Sequence, residues 1–220
     1  MISPGVISIV RTVVEGDLHL VLRKKNDSLE LLLGNVVLLS SAALETERTF
    51  GRLAKDAMHA APKPRVIIGG LGFGATLRGV LEVAPPDAEV IVAEKLETVI
   101  DVAKREAAPL VDGALEDPRV TVERADVADV IASASHCAAV LLDVDNGPEW
   151  ASFRTNARLY GDGALMRARH ALRPSGIYAV WSGYPADPFL VRLRRAGFSP
   201  ELVPLEERGV VRARAYVGRI

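Results

Sequence analysis

Three acids in this chain stand where acids can bind a ligand at the end of a sheet. Glu94, Asp126 and Asp143 each follow an expected strand, at 90–93, 120–123 and 138–142. A short apolar run, 66–68, is followed at once by Gly69, Gly70, Gly72 and Gly74. Glycine lets a turn adopt positive φ and lets a ligand approach the backbone with no Cβ in the way. The helix expected over 75–84, with Leu77, Val80, Leu81 and Ala84 at helical spacing, would bring unpaired N–H groups to the same point. An acid about 20 residues beyond such a turn is placed to bind ribose hydroxyls. In an open α/β sheet, ligands lie beyond the carboxyl ends of the strands. A glycine turn and three acids at successive strand ends therefore predict one binding crevice.

The elements that must position these groups follow from the hydrophobic pattern. From residue 65 onward, apolar runs alternate with helical periodicity, which argues for a mainly parallel sheet. Helices are expected over 96–107, 126–134, 164–172 and 188–196, with a fifth strand over 177–181. Segments 198–204 and 210–217 are joined by Glu206-Glu207-Arg208-Gly209, so they form an antiparallel pair at the sheet edge. Before the glycine turn, 6–14 pairs with 18–23 and 29–33 with 36–39, through turns at Glu15-Gly16-Asp17 and Gly34-Asn35. This gives a small N-terminal unit of two hairpins over 1–42. A helix over 43–60 and the breakers Pro62 and Pro64 open the main domain, 43–220.

Composition narrows the function classes. The chain has 220 residues, 49% of them hydrophobic, enough for one sizeable core. A net charge of −1 points to neither nucleic acid nor an anionic membrane surface. Cys137 is the single cysteine, so no internal disulfide or cysteine-built metal site is possible. The four histidines are scattered without ligand spacing, so no metal is expected. Absence of a secretory leader pattern or a long apolar run predicts a cytoplasmic protein with no membrane association. Arginines at 167, 169, 173, 192, 194 and 195 read as solvated helix faces.

Residues 29–182 resemble the spermidine synthase family, a branch of the S-adenosylmethionine-dependent methyltransferase fold. The resemblance rests on IIGGLGFGATLRGVLE, VAEKLETVIDVAKR, DGALEDPRVTVERAD, AAVLLDVDNGP and ALRPSGIYAV. It implies an α/β, Rossmann-like methyltransferase sheet, mainly parallel with an antiparallel C-terminal edge, preceded by a small β-hairpin subdomain. It further implies that Gly69, Gly70, Gly72 and Gly74 wrap the methionine part of the ligand. Glu94 would bind the ribose hydroxyls, and Asp126 the adenine, with the backbone N–H of Val127. Asp143 would deprotonate an attacking amine, and a homodimer is expected.

Departures from the family shape the functional expectation. The family's glycine turn, GGGDGG, contains an acid that faces the donor's free amine; here GGLGFG has none. Intact S-adenosylmethionine carries a carboxylate at that place, which an acid would repel. The neutral turn therefore favours intact S-adenosylmethionine and methyl transfer to a small amine-bearing acceptor. Aminopropyl transfer from decarboxylated S-adenosylmethionine is the alternative, a non-catalytic ligand-binding homologue the second, and an NAD-dependent dehydrogenase the most distant. The loop Asp143-Val144-Asp145-Asn146-Gly147-Pro148 is shorter than the family's D-x-x-D-P-x-G-P, and Asp145 joins Asp143 as a catalytic candidate. Trp150, Tyr160, Trp181 and Tyr184 fall where a substrate wall belongs, with core packing as the competing reading for each.

Overall fold

The computed structural model of the protein describes residues 6–144, 147–149 and 154–220. Among these residues the strands form two sheets. The first is an antiparallel meander of β1 (Ile7–Glu15), β2 (Leu18–Lys25), β3 (Ser28–Leu33) and β4 (Val36–Ser40), in that order. Here the structure corrects the expectation of two separate hairpins. β2 and β3 pair along their length, from Leu20 opposite Leu33 to Lys25 opposite Ser28. The missed turn is Asn26-Asp27, with Asn26 at φ 54°, a left-handed conformation that asparagine tolerates better than most residues. Two hairpins are marginal in water, whereas four paired strands with an apolar face can pack as a layer. Leu20, Leu22 and Leu31 supply that face and are buried, while Ile7, Ile9 and Val14 of β1 remain exposed.

The second sheet holds β5 (Arg65–Gly69), β6 (Glu89–Glu94), β7 (Val120–Arg124), β8 (Cys137–Leu142), β9 (Leu172–Ser182), β10 (Ser199–Glu207) and β11 (Val210–Arg219). Their order is β10-β11-β9-β8-β5-β6-β7. Strands β5 to β9 run parallel, and β11 is antiparallel to both β9 and β10. Every residue of β8 is buried, as a central strand covered on both faces must be. The chain winds outward through β6 and β7, then returns to the other side of β5 for β8 and β9. That reversal between β5 and β8 is a topological switch point, where a crevice opens at the strand ends.

Helices cover both faces: α1 (Glu45–Arg52), α2 (Lys55–His59), α3 (Ala75–Leu81), α4 (Glu97–Lys104), α5 (Ala108–Val111), α6 (Val127–Ser133), α7 (Asp162–Ala171) and α8 (Pro188–Arg195). None is long and apolar enough to cross a membrane. The single helix expected over 43–60 is broken at Leu53 and Ala54 into α1 and α2. The fifth parallel strand starts at Leu172, earlier than expected, because Arg173 to Gly176 enter the strand through an irregularity in its pairing with β8.

The crossing of α1 over α3 matters most for the site. A Cβ on Gly51 would lie 2.2 Å from the carbonyl oxygen of Thr76, and one on Gly79 would lie 2.0 Å from that of Arg48. The two helices therefore touch backbone to backbone, which only glycine permits at both positions. Their contact is reinforced by Arg52, whose Nε donates to Glu82 at 2.7 Å, and by Arg48 on the same carboxylate.

Candidate active site

At the carboxyl ends of the strands lies a cavity of about 680 Å³, within the range of small-molecule sites. The meander closes it from above with Leu18, Leu31 and Leu39. Its floor follows the strand order. Asp126 lies beyond β7, Glu94 ends β6, Gly70 and Gly72 follow β5, Asp143 follows β8, and Trp181 lies near the end of β9.

The glycine turn is held tightly at two points. Gly70, at φ 88°, donates its N–H to Ala93 at 2.9 Å, and a Cβ there would stand 2.1 Å from the carbonyl oxygen of Asp143. Asp143 in turn donates its N–H to Gly69 at 2.8 Å. Gly74, at φ 81°, caps α3 beside Val111, whose Cγ1 would lie 2.3 Å from an added Cβ. Gly72 is different. It has φ 52°, yet only Leu39 comes near an added Cβ, at 3.6 Å, so this glycine faces open cavity.

The two acids at the nucleoside end already have partners. Glu94 accepts from the N–H of Leu71 at 3.0 Å and of Leu96 at 2.9 Å, tying the glycine turn to the start of α4. Burial raises its pKa above the usual carboxylate range, against the pull of those donors. Asp126 caps α6 by accepting from Ala128 at 2.9 Å. It also pairs with Lys95 at 3.2 Å and with Arg158 from the 3-10 segment Arg154–Tyr160. Burial alone would raise its pKa, but the Ala128 N–H and the two cations outweigh burial and hold it below the usual value. Val127 lines the cavity, and its side chain packs under Gly69.

Asp143 sits in a different environment. Thr76 of α3 donates its hydroxyl to Asp143 Oδ2 at 2.5 Å and lies 3.3 Å from the carbonyl oxygen of Glu47. Burial pushes the Asp143 carboxyl up to about 6, with the Thr76 hydrogen bond opposing the shift. Its neighbour is Glu47 of α1, which lines the same cavity. Burial pushes Glu47 up to about 7, and the Asp143 charge adds to the effect. Thr46 donates to Glu47 Oε2 at 2.7 Å and partly offsets this. Two carboxyls held together in a partly desolvated pocket resist ionising together and favour a cation between them.

Glu47 and Thr76 escape the sequence reading. A signal for Glu47 exists: it lies three residues from both Leu44 and Phe50, in line with the buried stripe of its helix. An acid on an apolar stripe needs a reason to be there. The remaining substrate candidates divide. Trp181 lines the cavity, and its indole Nε1 is buried with no hydrogen-bond partner among the described residues. Tyr160 does not line it; its ring is 1% exposed and meets Phe189 edge to face at 6.0 Å. Tyr184 is 47% exposed outside the lining, with its carbonyl oxygen accepting from Ser182 at 2.6 Å. Asp145 and Trp150 lie outside the described residues.

No family model matches the sequence, and no curated protein matches it. Solved structures do match in fold. A spermidine synthase in complex with the transition state analogue AdoDATO aligns with a TM-score of 0.73 at 16% identity, over 96% of this chain and 72% of that one. The spermidine synthase from Thermotoga maritima gives 0.74 at 16% identity over the same shares. A probable spermidine synthase from Corynebacterium glutamicum gives 0.67 at 16% identity, over 96% of this chain and 80% of that one. The protein therefore has a spermidine synthase-like fold: a Rossmann-like α/β sheet with a separate antiparallel sheet at its N-terminus.

Proposed function

We propose that the protein transfers an aminopropyl group from decarboxylated S-adenosylmethionine to an amine. The observation that carries this reading is the carboxyl pair Glu47 and Asp143 on one cavity. The preference for intact S-adenosylmethionine rests on a glycine turn without an acid. Glu47 brings an acid to the cavity from α1 instead. A donor carboxylate there meets two acids, whereas the ammonium of the decarboxylated donor, or of an acceptor, meets complementary charge. The fold likeness to spermidine synthases supports the same choice over methyl transfer.

In this reading Glu94 receives the ribose hydroxyls through lone pairs left after its two backbone bonds. Asp126 and the Val127 N–H receive the adenine, and Gly72 leaves room for the donor chain. The amine nitrogen attacks the carbon bonded to the sulfonium sulfur. The carbon–nitrogen bond forms as the carbon–sulfur bond breaks, and the electron pair leaves on sulfur as a neutral thioether. The proton lost by the amine passes to Asp143, whose raised pKa suits a base working near neutral pH. Asp145 and Trp150 stay candidates for the same acceptor site, with Trp181 as its wall.

Product analysis separates the possibilities. The purified protein is incubated with an amine and either donor, and the nucleoside product is identified. Methylthioadenosine from the decarboxylated donor is the expected result. S-adenosylhomocysteine from the intact donor would establish methyl transfer instead, and donor binding without either product would establish a non-catalytic homologue.

A further inference from the structure

Among the described residues, two cations line the cavity: Lys95, which is paired with Asp126, and Arg212. The place of Arg212 in the sheet is unusual. In the pairing of β10 with β11, Leu205 is opposite Ala213 and Glu206 is opposite Val211, so Arg212 is the extra residue of a β-bulge. Bulges re-aim side chains and recur beside active sites. Arg212 is exposed, and it forms no hydrogen bond or ion pair among the described residues, although Glu206 and Glu207 are close in the same hairpin.

The strand order sets its distance from the carboxyl pair. β11 lies two strands from β8, on the side away from β6 and β7. Two strand spacings amount to about 10 Å of sheet width. The arginine's own length reduces that gap to the span of a short amino acid. The cavity thus runs from the nucleoside-end acids, past the carboxyl pair and Trp181, to an unpaired guanidinium. A diamine would bring its second ammonium toward that guanidinium, and like charges repel. A guanidinium with free donors is instead matched to a carboxylate.

Building on the transferase reading, we infer that the acceptor is an amine that also carries a carboxylate, with its amine at Glu47 and Asp143 and its carboxylate at Arg212. Trp181 packs along the carbons between them. A diamine is then the poorer acceptor, and Arg212 sets the specificity.

The test is calorimetric titration of the purified protein with γ-aminobutyrate and with the diamine of the same length, for the native chain and for Arg212→Gln. Arg212 is exposed, so the variant should fold, and its thermal midpoint checks this. We expect γ-aminobutyrate to bind the native protein about tenfold more tightly than the diamine, and Arg212→Gln to abolish that preference, as loss of one charge-assisted pair would. Equal or tighter binding of the diamine by the native protein would overturn the inference. So would binding of neither compound, or unchanged γ-aminobutyrate binding in the variant. Donor titrations need no acceptor, so failure here is distinguishable from failure of the transferase reading.

Discussion

The two ends of the cavity use the same residue types in opposite ways. At the nucleoside end, Glu94 and Asp126 are occupied by backbone N–H groups and by Lys95 and Arg158. Those acids brace the glycine turn and cap a helix before any ligand arrives. At the acceptor end, among the described residues, Asp143 accepts from the Thr76 hydroxyl and Glu47 from the Thr46 hydroxyl and its own backbone N–H, and burial raises each carboxyl. Acids satisfied by fixed donors hold a shape, whereas acids kept together with few donors are poised to take a proton or a cation.

The comparison breaks most decisively at the two acids themselves. Asp143→Asn should lower kcat by about 10²–10⁴-fold, the usual contribution of a positioned base, and leave donor affinity within a few fold. Glu94→Gln should do the reverse: donor Kd rises by about tenfold, for loss of charge-assisted hydrogen bonding, while the chemical step for bound donor changes little. Rapid-mixing single-turnover rates and calorimetry on both variants check this. If the two variants lose the same parameter, the two ends are not distinct.

A smaller effect is expected from the helix crossing that places Glu47. Gly79→Ala puts a methyl against the Arg48 carbonyl and should cost about 1–3 kcal/mol, read as a lower midpoint in urea. Gly72→Ala has space around it and should lose only the strain of a left-handed alanine, about 1–2 kcal/mol, while blocking the donor. The first variant should lose acceptor-end selectivity and the second donor affinity.

The smallest effects are in the pH profile. With Asp143 as base, the rate rises with pH as the carboxyl pair ionises. Asp143, at about 6, ionises while Glu47, at about 7, still holds its proton, so Glu47→Gln leaves the acid limb in place. Thr76→Val removes a hydrogen bond that favours the carboxylate and moves the limb to higher pH. Stability provides an independent reading. Glu47 binds its proton more tightly folded than unfolded, so folding is favoured by this group at low pH and less so as pH rises from 4.5 to about 7. Glu47→Gln should flatten that decline, as measured by urea unfolding across the window.

Much of the scaffold is legible in the sequence because it depends on local pattern. The apolar run at 66–68, the glycines after it and the helical spacing of Leu77, Val80 and Leu81 all lie within one short segment. Glu94, Asp126 and Asp143 are legible for the same reason, as each ends a recognisable run. The carboxyl pair is not. Glu47 reaches the cavity only because Gly51 and Gly79 let α1 rest on α3, and neither glycine has a local signature as a helix contact. Arg212 depends on a bulge, which exists only once β10 and β11 have a register. The pairing of β2 with β3 was obscured by Asn26-Asp27, a weaker turn signal than Gly34-Asn35.

The most direct test of the central claim is calorimetric titration of the native protein and Glu47→Gln with intact and decarboxylated S-adenosylmethionine. The account predicts that the native protein prefers the decarboxylated donor, and that the preference shrinks by about tenfold in the variant, the effect of one desolvated charge pair. Tighter binding of the intact donor by the native protein, or an unchanged preference in Glu47→Gln, would contradict it.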